Sequence, residues 1–268
     1  MENTTTDMFQ LILDTSKLSK DFHIYEPDPE AIGHNDVIND WHIERIRRLN
    51  ATAEYLIASL QRLQVFGESL SKLGKTPSKE DNYDALVINH RAACREVCIN
   101  IDIYVESIAS FCRYYFFMDK NATKETEVWY KTFEHYKQIK GWEHIEKFLS
   151  ACKLMFKNKD TKFIINIRNK ETHNESPLEL ITYKFEGASP VPIPTEYVIS
   201  NQALHNKTVT VIRLLVSVVA SLQEILNNIS PSDIRKYLSP QDGCLKNILK
   251  LEDRYKEERK YVKQFQCK

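Results

Sequence analysis

From residue 83 to residue 115 one stripe of side chains returns every three or four positions: Tyr83, Val87, His90, Cys94, Val97, Ile101, Tyr104, Ile108, Phe111 and Tyr115. A stripe of that period, sustained over many turns, suits a long helix that lays one face along a second helix. A partner stripe precedes it, with Ile46, Leu49, Ala53, Leu56, Leu60 and Leu63 at alternating steps of three and four and Leu70 two turns on. Gly74 and Pro77 stand between the two, a stop and a breaker. The pattern predicts two long antiparallel helices. The first runs from about Asp36 to Leu73; the second starts at Ser78, with Asp81 in a rough capping-box position. Only 6 glycines occur in 268 residues, which leaves little turn chemistry for a large sheet. The expected class is all-α.

The remaining periodicity extends this reading. Asn121 and Thr123 are candidate caps for a third helix to about Lys137, broken by Gly141. Trp142, Ile145, Leu149, Cys152 and Phe156 mark a fourth, and Thr161 to Asn174, apolar at Phe163, Ile164, Ile165 and Ile167, a fifth. Between 176 and 202 the pattern changes. Leu180, Ile181, Tyr183 and Phe185 read as extended, Gly187-Ala188-Ser189-Pro190 as a turn, and Tyr197-Val198-Ile199 as a second extended piece. This predicts a small β-hairpin or loop insert near 176–202. Val211, Leu215, Val218, Leu222, Ile225 and Ile229 resume a helix that is apolar on most faces and so belongs in the core. A charged amphipathic helix, about Gly243 to Gln264, closes the chain. Residues 1–35, polar and acidic with Pro27 and Pro29, read as an irregular lead-in. The expected organisation is that lead-in followed by a single domain over 36–268.

Lys and Arg total 37 and Asp and Glu total 37, and this balance argues against a broad non-specific coat on nucleic acid while permitting a local basic site. Cys94, Cys98, Cys112, Cys152, Cys244 and Cys267 show no zinc-like pairing, so buried free thiols are expected. The first residues lack a basic segment followed by an apolar run, which is not a signal-peptide pattern. Val209 to Leu222 is the most apolar stretch; Arg213 interrupts it and it reads as too short to span a bilayer. A cytoplasmic protein with reduced thiols, and no membrane partner, is the expectation.

One segment combines residues that carry chemistry: Ile167-Arg168-Asn169-Lys170-Glu171-Thr172-His173. The arginine fork matches a phosphate, and histidine exchanges a proton near neutral pH, so the two together suit phosphodiester cleavage without a metal. On a helix, positions five apart are separated by about 140° around the axis, so Arg168 and His173 border one cleft without stacking. Asn169 and His173, four apart, share a face. Such an Arg/His spacing arises about once by chance in a chain of this composition, and a surface histidine beside a solvated arginine is the competing reading. Glu171 and His173, two apart, face away from each other. His90 falls on the apolar stripe and reads as a core histidine. His42 beside Trp41 and His144 beside Trp142 lack Cys or carboxylate partners at ligand spacing and read as packing residues. The aromatic run Phe111, Tyr114, Tyr115, Phe116, Phe117 reads as core or interface. Lys153, Lys157, Lys159 and Lys162 read as a solvated face with the option of a basic rim. No residue pattern calls for a metal or cofactor.

Long paired helices, then a shorter helix carrying Arg-polar-x-x-x-His, then a further core helix, resemble the HEPN superfamily. Its members are all-α bundles, many of them metal-independent endoribonucleases of toxin–antitoxin, phage-defence and RNA-processing systems. Arg168, Asn169 and His173 match the family's motif position by position, and the likeness covers about Asp36 to Asn228. The 176–202 insert and the charged last helix lie outside the minimal pattern. The resemblance implies catalytic roles for Arg168, Asn169 and His173. His173 would serve as general base on a ribose 2′-hydroxyl or general acid to the leaving 5′-oxygen, and Arg168 would neutralise charge on the phosphate oxygens. It also implies an RNA substrate, with Lys170 and Lys162 as contacts to its backbone, a homodimer that pairs two motifs, and an antitoxin or regulatory partner. A catalytically inactive HEPN-like helical scaffold, binding a protein partner or a nucleotide, is the alternative.

Overall fold

The computed structural model describes residues 15–27, 36–72, 83–117, 140–172, 182–186, 189–193, 201–230 and 233. Among them are six main helices: α1 (Thr15–Phe22), α2 (Asp36–Lys72), α3 (Tyr83–Phe117), α4 (Trp142–Lys157), α5 (Lys159–Thr172) and α6 (Asn201–Asn228). Two short strands, β1 (Thr182–Glu186) and β2 (Ser189–Ile193), pair antiparallel. The third helix expected around 121–137, the extended piece at 197–199 and the last helix from Gly243 lie outside the described residues.

The hairpin register runs from Glu186↔Ser189 to Thr182↔Ile193. A two-residue connection makes Glu186/Ser189 a bonded pair, and bonded and non-bonded pairs then alternate. Pro190 and Pro192, opposite Phe185 and Tyr183, therefore fall where a missing N–H loses no ladder bond.

The helices follow the apolar stripes. On α2, Ile46, Leu49, Ala53, Leu56, Leu60 and Leu63 are all buried. On α3, His90, Cys94, Val97, Ile101, Tyr104, Ile108, Phe111 and Tyr115 are buried, and so is a second row one position on: Cys98, Asp102, Val105, Ala109, Cys112 and Phe116. The buried face of α3 is thus wider than one seam, as a helix packed on two sides requires.

The chain sorts into two compact units. The division falls inside α2, α3, α4 and α6. Unit 1 comprises Met1–Phe22, Thr52–Tyr104 and Lys153–Ser217. Within it α2 and α3 run antiparallel, with Arg62 donating to both carboxylate oxygens of Glu96 at 2.8 and 2.9 Å and Asn100 reaching the carbonyl of Tyr55. The Tyr104 hydroxyl donates to the carbonyl of Phe22 at 2.7 Å, and the two rings meet edge to face at 5.5 Å. Unit 2 comprises His23–Ala51, Val105–Cys152 and Val218–Lys268. In it His42 meets Tyr115, and Tyr115 stacks on Phe111 at 4.8 Å and contacts Phe116 edge-on at 5.0 Å. At the entry to α4, Gly141 adopts φ +88° and its carbonyl accepts from the His144 amide.

Two expectations are corrected. The described part of the lead-in is not loose: Thr15–Phe22 is helical, and Leu18, Phe22 and Ile24 are buried. Apolar residues four apart give α1 one face, which is enough once that face is buried. The late helix begins at Asn201, ten residues before its apolar pattern becomes regular, because Leu204 and Thr208 are already buried. Within it Asn206–Asn228 is, by length and composition alone, capable of crossing a membrane; more than half of that stretch is buried in the protein, as in a core helix.

Candidate functional site

Asn158 breaks the chain between α4 and α5. Its backbone amide closes the end of α4 on the Met155 carbonyl, and its side-chain oxygen accepts from the amides of Asp160 (2.8 Å) and Thr161 (3.2 Å). That is an N-cap satisfying two donors of the first turn. From this start α5 buries Thr161, Ile164 and Ile167. Arg168 lies four residues after Ile164, so it emerges at the edge of the buried face.

Arg168 does not point freely into solvent. Its Nε lies 2.9 Å from Asp102 Oδ2 of α3, and its Nη1 donates to Asn169 Oδ1 at 3.0 Å. Asp102 is only 5% exposed and the Arg168 side chain is 29% exposed. A buried carboxylate is costly unless it gains charge-assisted hydrogen bonds, and Arg168 supplies one. The pair thereby holds the guanidinium by one edge on a rigid helix face.

The structure thus brings Arg168 and Asn169 together. His173 lies outside the described residues, one position beyond the end of α5. Lys170 lies in α5; Lys162 is exposed on the same helix, as are Lys153, Lys157 and Lys159 around the α4–α5 junction. Asp102 escaped the sequence reading, although a signal existed: it is the one charged residue in the second buried row of α3.

His42, His90 and His144 have packing partners. His42 is fully buried, its Nε2 lies 3.2 Å from the Tyr115 carbonyl oxygen, and its ring lies 4.4 Å from that of Tyr115. His90 is buried with Nδ1 3.8 Å from Cys94 Sγ. His144 sits about 4 Å from both Glu143 and Glu224. Among the described residues no group of three or more His, Cys, Asp or Glu side chains converges as a metal site. Cys94, Cys98, Cys112 and Cys152 are buried free thiols. Burial pushes the Cys94 thiol up to about 12, and those of Cys112 and Cys152 upward too, with each other's proximity adding to the rise at Cys112. Such thiols are inert as nucleophiles.

Near α5, Asp160 pairs with Lys207 of α6 at 2.7 Å, and the ammonium stands 4.8 Å over the Phe163 ring. This contact anchors the start of α5 as the Asp102 pair anchors its end. Comparison of the chain with protein-family models, curated proteins and solved structures finds no match.

Proposed function

We propose that the chain is a metal-independent endoribonuclease of HEPN type, acting through Arg168, Asn169 and His173. The observation that carries this reading is the anchoring of Arg168: a buried carboxylate takes its Nε and the neighbouring Asn169 takes an Nη1 proton. A guanidinium fixed in this way meets a phosphate with little reorganisation, which is what stabilising a charged transition state requires. His173 follows five residues later in the sequence and would supply the proton-transfer group. It removes the 2′-hydroxyl proton or protonates the leaving 5′-oxygen, and the products are a 2′,3′-cyclic phosphate and a 5′-hydroxyl. DNA, lacking the nucleophile, is not cut. Lys162 and Lys170 contact the RNA backbone, and a homodimer pairs two motifs, with an antitoxin or similar partner holding the activity in check. The reading places the enzyme in the cytoplasm.

The test is cleavage of end-labelled RNA in EDTA by the wild type, Arg168→Ala and His173→Ala, with an all-deoxy substrate beside it. Cleavage of RNA alone, reduced at least a hundredfold in both variants, is expected. Equal cleavage by wild type and variants overturns the reading. The second reading, a silent helical scaffold, draws on the same ion pair, because a buried Asp–Arg contact also serves structure alone. Complete absence of cleavage by every form favours it.

A further inference from the structure

Every exposed residue from 153 to 169 is cationic or uncharged. Lys153 and Lys157 on α4 and Lys159 and Lys162 on α5 are exposed, together with Leu154, Asn166 and Asn169. Asp160 is the one carboxylate in this stretch, and Lys207 takes it at 2.7 Å. None of the four lysines has an ion-pair partner among the described residues, whereas Arg47, Arg48, Arg62 and Lys147 each meet a glutamate. Acidic and basic residues balance over the whole chain, so the excess is local.

Helix stability does not account for it. Lys157 stands in the last turn of α4, where a cation complements the helix dipole. Lys159 and Lys162 stand in the first turn of α5, where the dipole disfavours them. Cations held there without a carboxylate are compensated by an anion from outside. The arrangement of the face says which kind. Lys159, Lys162, Asn166 and Asn169 recur at steps of three, four and three, so they lie along one side of α5. This stripe rises about 15 Å from the α4–α5 joint to Asn169, which accepts from Arg168. Lys153 and Lys157, four apart, share a side of α4. A row of cations continued by side-chain amides suits a phosphodiester strand, since ammonium groups meet phosphates and an asparagine amide reaches phosphate or a base edge. A protein partner would want an apolar centre, and Leu154 is the only exposed apolar residue from 153 to 169.

We propose that Lys153, Lys157, Lys159 and Lys162, continued by Asn166, bind the phosphate backbone of a single-stranded nucleic acid and lead it along α5 toward Arg168 and Asn169. One stripe serves one backbone. What happens where the strand reaches Arg168 rests on the endoribonuclease reading; the track does not, because phosphate contacts are made to DNA and RNA alike.

The probe is therefore a fluorescent oligothymidylate, which lacks the 2′-hydroxyl, titrated with the full chain by anisotropy over a range of salt concentrations. Each lysine that neutralises a phosphate contributes about 0.7 to the slope of log affinity against log salt. Lys153→Gln with Lys157→Gln, and separately Lys159→Gln with Lys162→Gln, should each lower that slope by about 1.4 and weaken binding roughly tenfold or more at about 0.1 M salt. Arginine at the same positions should keep the binding. The control pair Lys20→Gln with Lys140→Gln removes two exposed lysines elsewhere and should have a far smaller effect. No binding by the wild type, unchanged binding in either pair, or an equal loss in the control pair overturns the proposal. Displacement by polyglutamate as effective as by unlabelled oligonucleotide overturns it in favour of an acidic protein. Lysine-dependent DNA binding by a chain that leaves RNA uncut would reject the endoribonuclease and uphold the track.

Discussion

Cys94 is 2% exposed, and burial pushes its thiol from 9.0 to about 12. That shift makes alkaline pH a specific denaturant of this protein. Below pH 9 the thiol is protonated in both the folded and the unfolded chain, and its contribution is fully present. Between pH 9 and 12 only the unfolded chain releases the proton, so stability falls as pH rises toward the folded value. Each unit costs about 1.4 kcal/mol, or about 4 kcal/mol over the whole interval. Cys112 and Cys152 are pushed up by the same cause, and the buried Tyr104 hydroxyl follows above pH 10, so the slope steepens. Against a typical domain stability of about 5–15 kcal/mol, unfolding is expected near pH 11. The assay is the urea midpoint by circular dichroism in steps from pH 8, with thiolate absorbance read in parallel. The midpoint should hold steady to about pH 9 and then fall, and in a chain carrying Cys244→Ala and Cys267→Ala thiolate should rise only as helicity is lost. In Cys94→Ala the fall should be shallower by about 1.4 kcal/mol per pH unit. Thiolate forming with a midpoint near pH 9 in the Cys244→Ala/Cys267→Ala chain while it keeps its helicity would refute the reasoning, and so would an unchanged slope in Cys94→Ala.

Two further outcomes test the local geometry. Asn158→Ala removes the acceptor of the Asp160 and Thr161 amides and should cost about 1 kcal/mol in chemical denaturation, with faster exchange at those two amides; no change there would mean that α5 does not depend on this cap. Gly141→Ala places a Cβ at φ +88° and 3.2 Å from Ile229 Cγ1, so it should cost about 1–2 kcal/mol and lower the melting temperature, whereas a neutral result would show that the turn is not held in the left-handed region.

The stripes of α2 and α3 were legible because burial on a long helix leaves a period that one sequence displays. Only one seam of α3 shows as a clean apolar period, and Asp102 lies in the row beside it with Cys98, Val105 and Cys112. A carboxylate there is intelligible only once Arg168 is seen beside it, sixty-six positions away in the chain. Arg168 and Asn169 were legible as a motif, but not their mutual bond. The hydrogen bonds donated by the Ile24 and Tyr25 amides left no local trace, since their acceptors, Asn50 and Gln223, are 26 and 198 residues distant. The division into two units was invisible because it falls within helices, where periodicity is uninterrupted.

The single-residue joint at Asn158 has a geometric consequence for α5. A helix that ran on unbroken from Trp142 would pass every insertion or deletion in its first half to its far end as a rotation of about 100° per residue. Because α5 starts afresh at its own cap, the azimuth of Arg168 is counted from Asn158, ten residues back and about 15 Å along the axis. The guanidinium is thereby indexed from a nearby origin, so length changes upstream need not swing it away from the carboxylate on α3.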